Sequence, residues 1–71
     1  MVNVNKLKGK IVERGMTVEA LAQSMKIDKS TLYRKLSKGE SFTIGEANQI
    51  CSALKLDSQE AAAIFFSQYV A

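Results

Sequence analysis

Thr17-Val-Glu-Ala-Leu-Ala-Gln-Ser-Met-Lys-Ile-Asp-Lys-Ser-Thr-Leu-Tyr-Arg-Lys-Leu36 carries two short apolar stripes with a break between them. In the first, Leu21, Ala22 and Met25 recur at helical spacing behind Thr17, whose hydroxyl suits an N-cap. Glu19 stands in the first turn, where the helix dipole favours an acid. The pattern stops at Lys26-Ile27, and Asp28 offers a second cap. Beyond it Leu32 and Leu36 lie one turn apart on one face, leaving Lys29, Ser30, Tyr33 and Arg34 on the others. The stretch predicts two short helices joined by a tight turn, the second with a polar, basic outer side. Ala22 is small where a following helix can cross closely.

Upstream, the spacing of Val4, Leu7 and Ile11 predicts a helix from about Asn3 to Arg14, with Gly15 placed for a left-handed C-terminal cap. Lys6, Lys8, Lys10 and Arg14 fall on its other faces. Gly9 costs about 1 kcal/mol relative to alanine inside a helix, and is expected to mark the close approach of another helix. Downstream, Gly39-Glu40-Ser41 forms a loop. Thr43-Ile-Gly-Glu46 fits a capping box, and Phe42 before it can staple onto Ala47. A fourth helix therefore begins near Ile44 and turns Ala47, Ile50, Cys51 and Leu54 inward. Asp57-Ser-Gln-Glu60 repeats the device, starting a fifth helix near Ser58. The run Ala61-Ala-Ala-Ile-Phe-Phe66, followed by Tyr69 and Val70, is more apolar than one end of a small domain requires. Part of it is expected to close the core, and Phe65, Phe66, Tyr69 and Val70 are the candidates for a dimer or partner surface.

The net charge of +3 conceals a division. Residues 1–38 hold nine Lys/Arg against three acids, a balance of +6, whereas residues 39–71 hold one against four, a balance of −3. A chain polarised in this way can present a basic face to nucleic acid or to an anionic membrane surface; a solvated lysine-rich surface gives the same count. Because the basic residues are not confined to one long amphipathic helix, the membrane reading is the weaker of the two.

Several classes of function are disfavoured. With no histidine and one cysteine, Cys51, the chain lacks the usual groups for proton transfer near neutral pH or for nucleophilic attack. Cys51 reads as a small buried residue. Asp28, Glu46, Asp57 and Glu60 have capping roles and Glu19 a dipole role, which leaves only Glu13 and Glu40 without a structural reading. There is no phosphate-binding glycine loop and no metal-ligand spacing, so no enzyme activity, small-molecule substrate, metal or cofactor is expected. Seventy-one residues read as one domain over 1–71. Without a long apolar run or a signal-peptide pattern, the expected location is cytoplasmic.

The stretch from Thr17 to Leu36 resembles the lambda-repressor-like (Cro/repressor, XRE) helix-turn-helix pattern. The ends, Asn3-Val-Asn-Lys-Leu-Lys-Gly-Lys-Ile-Val12 and Ala63-Ile-Phe-Phe-Ser-Gln-Tyr-Val-Ala71, together with Ser41-Phe-Thr-Ile-Gly-Glu-Ala47, resemble small phage repressors of Cro type. The resemblance implies an all-α fold, a five-helix lambda-repressor-like DNA-binding domain with its helix-turn-helix at helices 2 and 3. It also implies a homodimer on a double-stranded DNA operator, with a recognition helix at about 29–37 in the major groove. Lys29, Ser30, Thr31, Tyr33 and Arg34 are then the base-reading candidates, since lysine and arginine donate to guanine, serine bonds to several base edges and threonine's methyl meets thymine's. Lys6, Lys10, Thr17, Lys38, Ser41 and Thr43 are the phosphate candidates. Two positions depart from the family: Val18 stands where a glutamine is often found, and Lys26 where the turn usually has glycine. A lysine at Lys26 must enter the left-handed region or the turn must differ. The competing expectation is a protein-interaction module, an antirepressor or modulator that binds a larger repressor through the apolar C-terminal run.

Overall fold

A computed structural model describes residues 2–39 and 42–66; the candidates Ser41, Tyr69 and Val70, and Glu40, lie outside them. The described residues form α1 (Val4–Glu13), α2 (Val18–Met25), α3 (Lys29–Lys38), α4 (Ile44–Leu54) and α5 (Ser58–Phe65), with no strand among them. None of these helices is long and apolar enough to cross a membrane.

Each helix begins where a side-chain oxygen can receive a backbone N–H that would otherwise be unpaired. Asn3 accepts from Lys6, Thr17 from Ala20, Asp28 from Ser30, Thr43 from Glu46 and Asp57 from Glu60. At Thr43 and Asp57 the capping box is reciprocal, with Glu46 and Glu60 each accepting the cap residue's own N–H. Three helices end alike. The N–H groups of Met16, Ile27 and Leu56 reach back to the carbonyls of Ile11, Ala22 and Cys51, while Gly15, Lys26 and Lys55 take positive φ. This is the double hydrogen bond of a Schellman ending, and its usual companion, an apolar residue after the left-handed one, is present each time. Met16, Ile27 and Leu56 all pack against the core.

Lys26, at φ 58° and ψ 39°, does take the left-handed conformation that its place in the turn demands. Lys55 does the same at φ 54°. Gly9 corrects an expectation. A Cβ built there meets nothing within 4 Å, because the residue lies on the side of α1 opposite Leu7 and Ile11.

The core gathers residues from every helix. Leu7 and Ile11 of α1, Leu21, Ala22 and Met25 of α2, Leu32 and Leu36 of α3, Ile50 and Leu54 of α4, and Ile64 and Phe65 of α5 are buried. Ala22 retains only 1% of its surface between α2 and its neighbours α3 and α4. Ala47 and Cys51 are half-buried against the same cluster. Burial alone raises the Cys51 thiol pKa, which suits an inert core residue. The chain's ends meet as well: the Asn3 N–H donates to the Ile64 carbonyl at 2.7 Å, and α1 packs on α5.

Phe65 is a second correction. Only 9% exposed, it stands edge-on to Phe42 with ring centroids 6.0 Å apart, and so belongs to the core rather than to a partner surface. Ile64 and Phe65 both point inward from the last turn of α5, which turns Phe66 out; that ring is 53% exposed.

Candidate nucleic-acid interface

The second helix of the pair, α3, is held from beneath and from one side. Leu32, with no exposed surface, and Leu36, with 3%, anchor α3 in the core. Lys35 anchors it to α4: its ammonium lies 3.4 Å from Glu46 and 5.4 Å from the centre of the Phe42 ring. A basic residue of α3 is thereby spent on attachment, a cation resting on an aromatic face beside a carboxylate. Glu46 is drawn below its ordinary pKa, chiefly by the Thr43 backbone N–H and also by Lys35.

What remains outside is the face that the sequence assigns to DNA. Lys29, Ser30, Tyr33, Arg34, Ser37 and Lys38 are exposed, and Thr31 is half-buried. Two hydroxyls on this face are already engaged. Ser30 Oγ donates to Asp28 Oδ1 at 2.8 Å, and the same oxygen accepts the Ser30 backbone N–H at 2.9 Å. These two bonds hold the Asp28 carboxyl below its usual range, the backbone one more strongly. Tyr33 Oη donates to Glu19 Oε2 of α2 at 2.7 Å. That bond lowers the Glu19 pKa and raises the Tyr33 pKa, so both stay in their neutral-pH forms, carboxylate and phenol. It also ties the two helices of the motif together across their exposed edge.

The phosphate candidates separate. The Thr17 and Thr43 hydroxyls each accept a backbone N–H in capping, at 3.0 and 3.1 Å, and as hydroxyls each keeps a proton to donate outward. Lys6 and Lys38 are exposed. Lys10 is not available in the same way. Its ammonium sits between Glu13 at 2.9 Å and Glu60 at 2.5 Å, with Arg14 closing the group at 3.0 Å from Glu60. The two acids raise the Lys10 pKa, Glu60 the more strongly, and this ammonium pins α1 to the start of α5. Lys10, a phosphate candidate, is thus engaged as a structural cation. The sequence shows the Glu13 pairing through its i, i+3 spacing; the Glu60 pairing has no local signal.

Lys8 lies beside another of the phosphate candidates. It shares a shallow groove with Ser37 and Lys38, where the side of α1 meets the end of α3. The sequence places Lys8 on an outer face of the first helix without marking it as a candidate, because only the tertiary fold brings it to the same groove as Lys38. Val18, the departure at the start of α2, is half-buried against the core and offers packing where a glutamine would offer an amide.

Two helices joined at a left-handed Lys26, the second anchored by leucines and open on its polar side, are the arrangement by which a helix-turn-helix enters the major groove. Comparison with protein families gives a match over residues 6–64 to the Cro/C1-type HTH DNA-binding domain. Comparisons with curated proteins and with solved structures find no significant match. The matched span covers all but the first residues of α1 and the last of α5, and contains the whole helix-turn-helix. The chain belongs to the Cro/C1-type helix-turn-helix DNA-binding family.

Proposed function

We propose that this protein is a sequence-specific transcriptional repressor of phage Cro type, acting in the cytoplasm as a single DNA-binding domain over residues 1–71 that pairs with a second copy. The observation that carries the reading is α3 itself, whose Leu32 and Leu36 are sealed in the core while Lys29, Ser30, Tyr33 and Arg34 stand exposed. A helix held so firmly can present side chains to base edges without losing much order on binding. Dimerisation would set two such helices about 34 Å apart, one turn of DNA, and require a near-palindromic operator. Occupying that operator blocks polymerase without further chemistry, and neither cofactor nor substrate enters the mechanism.

Affinity would come in large part from phosphates, through Lys6, Lys8, Lys38, the Thr17 and Thr43 hydroxyls and the helix N-termini. An electrophoretic shift assay against the promoter DNA beside the gene, run over a salt series, tests the reading. A discrete complex that weakens steeply with salt supports it. Folded protein that forms no specific complex at low salt overturns it.

A second reading, a module that engages a larger repressor, draws on Phe66, 53% exposed at the end of α5. The same ring suits a homodimer contact. Co-purification with a larger regulator, together with no DNA shift, would favour the module.

A further inference from the structure

The Tyr33–Glu19 bond decides what Tyr33 can say to DNA. A phenol has one proton to give and lone pairs to receive with. Here the proton points at the Glu19 carboxylate, 2.7 Å away on another helix, in a charge-assisted bond. The phenol oxygen, on a residue 46% exposed, is left as an acceptor. Donation to a carboxylate also makes that oxygen more negative and a better acceptor, because linked hydrogen bonds polarise one another. Phosphate oxygens only accept, so they gain nothing from it, and the Glu19 charge repels them.

In the major groove the groups that can donate to such an oxygen are the exocyclic amines, adenine N6 and cytosine N4; guanine O6 and N7 and thymine O4 are acceptors. We propose that Glu19 holds the Tyr33 hydroxyl as an acceptor facing the major groove, so that Tyr33 reads an adenine or cytosine amino group and not a phosphate. Glu19 is the positioning residue and Tyr33 the reading one. Ser30 is set the same way by Asp28, its proton taken at 2.8 Å, so neighbouring hydroxyls of α3 present the same polarity. Lys29 and Arg34 supply the opposite one, and their donors suit guanine. The recognition face would thus alternate acceptors held by α2 and the cap with cationic donors of α3. This inference rests on α3 being the DNA-reading helix.

Selection of duplexes from a randomised library, with sequencing, tests it on the full chain. Wild-type protein is expected to enrich one base pair at a Tyr33-dependent position of each half-site by about tenfold, in the lower part of the range for a good base contact, and to lose that gain on a duplex whose adenine or cytosine there lacks its exocyclic amine. Tyr33→Phe should erase the preference at that position alone, while Lys29- and Arg34-dependent positions keep theirs. Glu19→Ala frees the proton to rotate, and so should relax the base-pair preference at the same position, tolerate the amine-lacking duplex and tighten binding to random duplex. Both side chains are exposed, and circular dichroism verifies that the variants fold. A duplex whose adenine or cytosine at the Tyr33-dependent position lacks its exocyclic amine (purine for adenine, 2-pyrimidinone for cytosine) yet binds wild type as tightly as the parent, or a Tyr33→Phe variant with unchanged preferences, overturns the inference and leaves operator binding standing. A folded wild type that enriches no sequence overturns operator binding, and the inference with it.

Discussion

Glu60 closes the capping box of its own helix and, with the same carboxylate, receives the Lys10 ammonium from a helix fifty positions earlier. Its pKa is lowered by Lys10 first and by the Asp57 backbone N–H second. A carboxylate lowered on folding stabilises the native state above its unfolded pKa, and that stability disappears as pH falls through the lowered folded value. Lys10 is raised, so its share is complete below its unfolded pKa and disappears as pH rises through the raised folded value. Thermal unfolding across pH should therefore show a plateau bounded by an acid limb below about pH 4 and an alkaline limb above about pH 10. Glu60→Gln should lower the midpoint on the plateau and shrink both limbs. The acid limb should persist in part, since Glu19, Asp28 and Glu46 are lowered too. An unchanged profile for Glu60→Gln would contradict this role.

The left-handed lysines predict stabilising substitutions. A side chain in that region costs ~1–2 kcal/mol, whereas glycine costs ~0.4–1 kcal/mol through the unfolded chain. Lys26→Gly and Lys55→Gly should each gain about 0.5 kcal/mol in urea unfolding. Gly15, at φ 71°, predicts the reverse: Gly15→Ala should lose about 1 kcal/mol. Losses for the two lysine variants would contradict the argument.

Gly9 sits in the middle of α1 with open space around its would-be Cβ. Gly9→Ala should raise stability by about 0.5–1 kcal/mol, measured by the same unfolding experiment, because only the entropic cost of glycine in a helix is removed. A destabilised Gly9→Ala would mean that something approaches this face.

Arg34 and Lys38 share one helix and separate two roles. Arg34→Ala should cost ~1–3 kcal/mol on the preferred duplex and much less on random DNA, as expected for a base contact. Lys38→Ala should weaken both duplexes alike and reduce the slope of log affinity against log salt by about one. Fluorescence anisotropy titrations on the two duplexes measure both; equal effects of Arg34→Ala on each would contradict its base-reading assignment.

The parts of this protein that were legible in its sequence are those set by neighbours a few positions apart. Thr17, Asp28, Thr43 and Asp57 announce helix starts because a cap bonds two or three residues onward. Leu32 and Leu36 announce an inner face because a helix repeats every turn. The contacts that assign individual roles at the site are of another kind. Lys10 to Glu60, Lys35 to Glu46 and Tyr33 to Glu19 all join different helices, and no periodicity within one helix encodes them. Phe65 and Phe66 show the same limit at closer range. Adjacent aromatics at a helix end are alike in composition, and only the packing of Phe65 against Phe42 separates the core ring from the exposed one. The left-handed Lys55 has no signal in the sequence, because a helix ending with neither glycine nor asparagine carries no composition cue for such a residue.

The central claim, that the exposed side of α3 meets DNA, is tested most directly by titrating isotopically labelled protein with a duplex enriched from the randomised library and following the backbone amides by NMR. The account predicts the largest shifts at Lys29, Ser30, Thr31, Tyr33 and Arg34, with smaller ones at Thr17 and Thr43 and little change at Ile50 or Leu54. Shifts confined to α5 around Phe66, with α3 unmoved, would contradict it.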